Sequence, residues 1–451
     1  MSDFQFERSV SIARPAADVF AWHERPGALQ RLLPPWEHVE VESQRGGIRD
    51  GAEVVARVRI GPANVRWVLR HTDYVAGHQF RDLQVKGPFA HWEHWHRFKD
   101  DSAGGSVLTD SISYRPPRGT GWAERPVRTK LERMFRYRHE VTKYDLELPP
   151  EPVGRVLISG ASGLLGGALV PYLRTQGWKV HRLVRRAAQA EDEVRWRTAD
   201  GAVEWPAEVS FDAVIHLAAA GVADRRWSAQ RKAVIRESRE AGTRKIVEAI
   251  LSAPHRPNVL ISGSATGYYG DGGEAILTEQ SPAGRGFLAD VCRGWEAALE
   301  PARRAGVRTV AVRTGVVLTP AGGALARLLP VFRAGAGGRL GHGRQWMNWI
   351  TLDDWLDVVR RLLTDSTLDQ AVNAVAPAPV RNAEFSAALG EVLRRPVILP
   401  VPAAALRLAV GEMADEALLA SARVEPALLF QRGHRFRYPT LLRGLRHVLG
   451  R

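Results

Sequence analysis

The sequence predicts an α/β chain centred on a doubly wound parallel sheet, with an α+β unit before it and a small helical region after it. Three observations carry this. From Val153 onward, short apolar runs alternate with helical stretches, the pattern of a parallel sheet with crossover helices. The first of those runs leads directly into a glycine-rich turn. Before residue 148 the texture differs, with short alternating runs punctuated by turn residues.

The first 147 residues divide as follows. Phe4–Ile12 alternates as a strand, and Pro15–Trp22 reads as a short helix opening on proline. Strands are expected over Glu53–Ile60, Val65–Val75, His78–Val85, His91–Phe98 and Ser106–Tyr114. Asp50-Gly51 and Gly104-Gly105 are hairpin signals between such runs. Trp122–Tyr144 is one long amphipathic, arginine-rich helix. Residues 148–152 form a stiff proline-rich linker.

Residues 153–383 are expected to form the central α/β domain, with strands at Arg155–Ser159, Lys179–Val184, Ala213–Leu217, Val259–Ser262 and Arg308–Arg313. Helices include Leu164–Thr175 and Arg239–Leu251. Residues 384–451 turn mainly helical, through Phe385–Arg394, Ala403–Val410 and Ala417–Ala422, and are read as a substrate-side region.

The glycine turn carries the chemistry. Arg155-Val-Leu-Ile-Ser-Gly160-Ala-Ser-Gly163-Leu-Leu-Gly166 is a strand, a Gly-x-x-Gly-x-x-Gly turn and a helix start. A dinucleotide needs this arrangement: a tight turn, a backbone that a pyrophosphate can approach, and a helix packed close to its strand. The helix N-terminus adds N–H donors and partial positive charge. The domain is therefore read as an NAD(P)-binding Rossmann-like fold. The second strand ends Val184-Arg185-Arg186, with no carboxylate before Glu191. Arginines at that tip suit a 2′-phosphate, so NADP is expected rather than NAD.

Bulk properties exclude some classes. The net charge is +14, but the basic residues are mostly Arg and are spread along the chain, as in the codon bias of a GC-rich, bacterial genome. Nucleic acid is not the expected partner. No apolar stretch reaches the roughly 18 residues of a membrane span. Residues 1–13 lack the apolar core of a secretory signal. One cysteine, Cys292, fits a reducing cytoplasm. The oligomeric state is open.

Residues 153–450 resemble an atypical extended short-chain dehydrogenase/reductase of the NAD-dependent epimerase/dehydratase superfamily. The likeness lies in Ala213-Val-Ile-His-Leu-Ala-Ala-Ala-Gly221, Ala223-Asp-Arg-Arg-Trp227, Ser262-Gly-Ser-Ala-Thr-Gly-Tyr-Tyr-Gly270, Gly341-His-Gly-Arg-Gln-Trp-Met-Asn-Trp-Ile350 and Asp353-Asp354. The tail, with Gly411-Glu-Met-Ala-Asp415 and Phe436-Arg-Tyr-Pro439, is similar to the C-terminal domain of unknown function of one epimerase-like subfamily. Residues 1–147 resemble a START/polyketide-cyclase (SRPBCC) helix-grip domain, on the order of elements and on Val85-Lys-Gly-Pro-Phe-Ala-His-Trp-Glu-His94. That likeness implies a hydrophobic ligand in an apolar cavity.

The family resemblance implies cofactor contacts at Gly160, Ser162, Gly163, Leu164, Gly166, Arg185 and Ala218, with Arg186 beside them, and a small-molecule substrate. A standard member uses Ser or Thr with Tyr-x-x-x-Lys as acid–base machinery. Ser264 matches the serine. The Tyr-x-x-x-Lys pair is absent, and Leu288 and Cys292 occupy its two places. Three readings stay open. In the first, Tyr268 or Tyr269 supplies the proton beside Arg293 or Arg313. In the second, Ser264 and water suffice. In the third, the domain binds cofactor without chemistry, as an NADP-responsive ligand-binding or regulatory module. Ser264 and Tyr268 are the catalytic candidates. Arg226, Trp227, Arg344 and Trp346 are candidate substrate contacts, with Trp349 either beside them or packing. No metal is expected: His94 and His96 share one face of a strand, His91 and Glu93 the other, and no third ligand is evident on the His94 face. Cys292 is expected to be a buried helix residue.

Overall fold

A computed structural model describes residues 3–117, 124–197, 201–206 and 208–451. The chain divides into two compact units, one built mainly from residues 1–151 and the other mainly from 152–173 and 178–449.

The first unit is a seven-stranded antiparallel sheet with helices from both ends of the segment. Its strands are β1 (Phe4–Ile12), β2 (Val39–Arg45), β3 (Glu53–Ile60), β4 (Ala63–Val75), β5 (Gln79–Lys86), β6 (His91–Asp100) and β7 (Ser106–Arg115). They run in the order β1-β7-β6-β5-β4-β3-β2, so every neighbour is a hairpin partner except β1 and β7. Between the first two strands lie α1 (Ala16–Glu24) and the one-turn α2 (Ala28–Arg31), and α3 (Glu124–Glu147) closes the unit. Alternation decides which face is covered: in β6, Trp92, His94, His96 and Phe98 are buried while the residues between them are not. Ile112, Tyr114 and Trp92 of the sheet meet Leu131 and Phe135 of α3. The expected strands are present with ends moved by at most two residues. β2 and α2 went unpredicted. Trp122 and Ala123 of the expected long helix lie outside the described residues.

The second unit holds a seven-stranded parallel sheet. Its strands are β8 (Arg155–Ser159), β9 (Lys179–Val184), β10 (Glu193–Arg195), β11 (Ala213–His216), β12 (Val259–Ala265), β14 (Arg308–Thr314) and β18 (Gln370–Ala374). Short pairs lie outside it: β13 (Ile276–Leu277) with β20 (Arg423–Val424), β15 (Val316–Leu318) with β17 (Trp349–Thr351), and β16 (Trp346–Met347) with β19 (Val380–Arg381). The main order is β10-β9-β8-β11-β12-β14-β18. The chain therefore works outward from β8 to one edge, then restarts beside β8 at β11.

Burial on both faces explains the apolar strands. Val156 and Ile158, Ala213 and Ile215, Val259 and Ile261, and Val310 and Val312 turn to one core. Leu157, Val214, Leu260 and Ala311, the residues between them, turn to the other. Helix α4 (Leu164–Thr175) supplies Leu169, Val170 and Leu173 to the first core. Helix α5 (Ala229–Ser252) supplies Ile246, Val247 and Ile250 to the second. α5 starts ten residues before the expected Arg239, capped by the Ser228 hydroxyl, which accepts from the Arg231 N–H. Beyond the sheet, Ala403–Val410 is a helix as expected, and Ala414–Leu419 is a π-helical turn lying earlier than the expected Ala417–Ala422.

Candidate functional site

The turn after β8 sits at the switch point, between strands that lead to opposite edges, where open α/β sheets bind ligands. Its glycines answer to steric demands. Gly160 has φ +71°, and a Cβ there would lie 2.8 Å from the Ala218 nitrogen. At Gly166 a Cβ would lie 2.2 Å from the Gly160 carbonyl oxygen, so only glycine lets the helix approach the turn. Gly163 is different: its Cβ would meet only that same oxygen at 3.2 Å, and the residue is exposed. Ser162, Gly163 and Leu164 lie exposed at the start of α4. Behind the turn, Ser159 Oγ accepts from the Leu217 and Ala218 N–H groups. It also lies 2.6 Å from His216 Nδ1. Burial pushes the His216 imidazole down to about 4. These glycine-lined surfaces fit a dinucleotide in this position: the fold itself demands Gly160 and Gly166, while Gly163 leaves an open face to the outside.

At the tip of β9 the two arginines differ. Arg185 is exposed and makes no ion pair among the described residues. Arg186 grips Glu193 of β10 with two bonds of 2.7 and 2.6 Å. Arg186, together with the Gln189 N–H, holds that carboxyl at about 2. The expectation that both arginines are available to a phosphate is corrected: β10, which the sequence reading missed, brings in a carboxylate that occupies Arg186.

Ser264, next to last in β12, lies opposite Arg313 of β14. Its hydroxyl donates to Glu296 Oε1 at 2.7 Å. Glu296 belongs to α6 (Phe287–Ala297), the helix carrying Leu288 and Cys292. Arg313 binds both Glu296 oxygens at 2.9 and 2.8 Å, a bidentate pair. It also donates to the Tyr269 hydroxyl at 2.9 Å, which donates onward to Asn373 at 2.7 Å. Tyr269 is thus an internal member of a buried chain. Burial pushes its phenol up to about 12, against the lowering by Arg313, and its hydroxyl is engaged on both sides within the chain.

Tyr268 stands apart. The Arg313 guanidinium carbon lies 3.4 Å from its ring centroid. The ring is half-buried, and its hydroxyl makes no hydrogen bond among the described residues. Arg293 pairs with Asp290 on the exposed side of α6 and bonds to neither phenol among the described residues. Cys292 is buried as expected, its thiol pushed up to about 11 by burial. The sequence reading missed Glu296; a carboxylate one turn beyond the Leu288/Cys292 positions was its only signal.

The candidate substrate contacts separate. Trp227 stacks edge-on with Phe287 at the start of α6, 5.1 Å between centroids. Arg226 is exposed, its guanidinium near Gly411. Trp346 is held by Glu274, which accepts its indole N–H at 3.0 Å, and lies under Arg381 and Arg423. Arg344 is exposed. Trp349 is 1% exposed and donates to the Ala378 carbonyl, so it is packing. Other quoted motifs hold the tail. Asp354 accepts the Arg437 N–H at 2.6 Å, and burial pushes its carboxyl up to about 6. Glu416 accepts the Phe287 and Leu288 N–H groups, capping α6.

The first unit encloses a cavity of about 390 Å³. Trp67, Phe80, Phe89, Trp92, Leu131 and Phe135 are among its apolar lining residues, and His71, Asp82, His94 and His96 also reach it. The expectation that no third ligand faces His94 is overturned. Asp82 sits directly opposite His94 on β5 and lies within 3.6 Å of His94 and 3.5 Å of His96. Alternation along one strand cannot reveal what the next strand supplies.

Comparison with known proteins places these features. Residues 156–374 match the NAD dependent epimerase/dehydratase family, residues 401–448 a domain of unknown function, and residues 3–147 the polyketide cyclase / dehydrase and lipid transport family. An epimerase family protein of Mycobacterium bovis is 42% identical over 286 residues, 63% of this chain and 94% of that protein. The nucleoside-diphosphate sugar epimerase of Corynebacterium glutamicum has a solved structure 33% identical with TM-score 0.79, covering 99% of this chain and 90% of that one. Human epimerase family protein SDR39U1, solved with NADPH, is 29% identical with TM-score 0.60, covering 65% of this chain and 99% of that one. Among the described residues no helix is long and apolar enough to cross a membrane.

Proposed function

The chain belongs to the NAD dependent epimerase/dehydratase family, and on that premise we propose that it is an NADP(H)-binding oxidoreductase- or epimerase-like protein acting on a small molecule, with a hydrophobic ligand held by the N-terminal unit. The observation that carries this reading is the switch-point turn, where Gly160 and Gly166 are required by close backbone contacts and Gly163 opens outward. Gly160, Ser162, Gly163, Leu164, Gly166 and Ala218 would lie along the dinucleotide. Arg185, exposed and without an ion-pair partner among the described residues, would take the 2′-phosphate. The NADPH in the human relative's structure supports the same choice. The lone cysteine fits a cytoplasmic setting.

When bound, the nicotinamide supplies hydride donation or acceptance. The chain's own residues handle the proton. Tyr268, whose phenol makes no hydrogen bond among the described residues, is the acid we assign. Arg313 lies against its ring rather than its hydroxyl. Ser264, whose proton is engaged by Glu296, would accept from the substrate hydroxyl with a remaining lone pair. Glu296 and Arg313 hold that serine in place. Trp227 and Arg226, near the start of α6 and Gly411, are the substrate contacts we retain, with Arg344 and Trp346 as outer ones.

A second reading is a non-catalytic module in which NADP occupancy changes ligand affinity in the N-terminal unit. It is favoured by one observation: apolar Leu288 and a buried, un-ionised Cys292 stand where the family's acid–base pair belongs. A screen of NADPH oxidation over carbonyl compounds separates the two. Turnover lost in Tyr268→Phe supports the enzyme. No turnover, with ligand affinity altered by NADPH, supports the module and overturns the enzyme.

A further inference from the structure

An alternating polar row crosses four adjacent strands beside the N-terminal cavity: Asp110 on β7, His94 and His96 on β6, Asp82 on β5, and His71 on β4. Strand pairing creates it, since His96 lies opposite Asp110, Asp82 opposite His94, and His71 opposite Asp82. His139 of α3 closes the far end, 2.6 Å from Asp110 Oδ2. Asp110 Oδ1 lies 2.8 Å from His94 Nε2 and 2.7 Å from His96 Nδ1. One carboxylate oxygen therefore takes up one nitrogen of each ring.

With Nε2 of His94 and Nδ1 of His96 directed at Asp110, neutral rings present bare lone pairs at His94 Nδ1 and His96 Nε2. Both face Asp82 Oδ2, at 3.6 and 3.5 Å. With the rings neutral, these three atoms are lone-pair donors facing one gap, as the ligands of a cation are. The separations exceed the roughly 2.7–3.2 Å of an N–H···O bond. They are close to the edge of a tetrahedron about a metal with bonds of about 2.0–2.1 Å, which is about 3.3–3.4 Å. Asp82 also has an orphan: its Oδ1 is buried without a hydrogen bond of good geometry, although His71 Nε2 lies 2.9 Å away.

We propose that Asp82, His94 and His96 form a binding site for a divalent transition-metal ion, with an open coordination position turned into the apolar cavity. Two imidazoles and one carboxylate are the donor set of open, catalytic-type zinc and iron(II) sites. The three ligand atoms lie within 4.8 Å of one another, and all three residues line the cavity. Asp110, which is not among the lining residues, acts from behind as the carboxylate that orients both histidines. A divalent ion there also offsets the charge of the two carboxylates, Asp82 and Asp110. The cavity would then receive an apolar molecule with an oxygen donor at one end, bound to the ion. The metal site stands independently of that ligand.

The test uses the intact chain, stripped with a chelator and then titrated with Zn²⁺ and, separately, Co²⁺. One Zn²⁺ per chain is expected after gel filtration, with visible Co²⁺ absorption of low-coordinate intensity. Asp82→Asn and His94→Ala should abolish both signals. Asp110→Asn should weaken binding by roughly 10–100-fold. His91→Ala, on the opposite face, should leave binding unchanged. A wild-type chain that retains no Zn²⁺ overturns the proposal whatever the variants do. So does Zn²⁺ binding that persists in folded Asp82→Asn and His94→Ala proteins, or that is lost in His91→Ala.

Discussion

Replacing Arg185 with alanine should cost NADPH roughly tenfold to a hundredfold in affinity and leave NADH unchanged, from about 1.5–3 kcal/mol per charge-assisted hydrogen bond. The structure narrows the effect to this residue. Arg186 already spends its guanidinium on Glu193, a side chain only 2% exposed. Turning Arg186 toward a phosphate would strip a buried carboxylate of its main partner, which costs more than an exposed phosphate contact returns. Among the described residues Arg185 has no ion-pair partner to give up. Calorimetric titration of NADPH and NADH into wild type, Arg185→Ala and Arg186→Ala, at one fixed ionic strength because exposed pairs are screened, reads the difference. Equal loss for both cofactors in Arg185→Ala, or selective NADPH loss in Arg186→Ala alone, refutes the reasoning.

Three further outcomes follow from particular contacts. Tyr268→Phe should lower turnover of any substrate found by roughly a hundredfold to ten-thousandfold, the range for one acid–base group, whereas Tyr269→Phe should act on stability instead; rates read beside NADPH affinity distinguish the two, and intact turnover in Tyr268→Phe removes it as the acid. His216, brought from its ordinary 6.5 to about 4 by burial, stays neutral in the folded chain while the unfolded chain takes up a proton. Stability should therefore fall as pH drops from 6.5 toward 4, by on the order of 3 kcal/mol, and be unaffected by this group above that window; urea midpoints of the second unit that fall just as steeply in His216→Gln contradict this. Residues 1–147 expressed alone should fold, because their sheet and helices share cores of their own, and should take up a fluorescent fatty acid; a folded fragment without uptake removes the cavity ligand.

The glycine turn and most of the flanking strands were legible in the sequence because their causes are local. Gly160 turns the chain at positive φ and Gly166 meets the Gly160 carbonyl six residues back, and the doubly buried strands announce themselves as apolar runs. What was hidden depends on neighbours distant in sequence. β10 is three residues long, and its effect on Arg186 exists only through parallel pairing with β9. Tyr268 and Tyr269 are adjacent and chemically identical, yet one is half-buried with no hydroxyl partner among the described residues and the other is sealed between Arg313 and Asn373. Glu296 reaches Ser264 across 32 positions. The Asp82–His94 juxtaposition is set by hairpin register, which residue types alone leave open.

The central claim, that the turn after β8 holds NADP(H), is tested most directly at Gly163, where the fold makes the mildest demand of the three glycines: a Cβ would meet only the Gly160 oxygen, at 3.2 Å. NADPH is titrated into the wild-type chain and into Gly163→Val, with thermal unfolding followed in parallel. One NADPH per wild-type chain is expected, with affinity lost by more than about tenfold, or 1.4 kcal/mol, in a variant whose fold is retained. A wild-type chain that takes up no NADPH, or a folded Gly163→Val that binds it equally well, contradicts the claim.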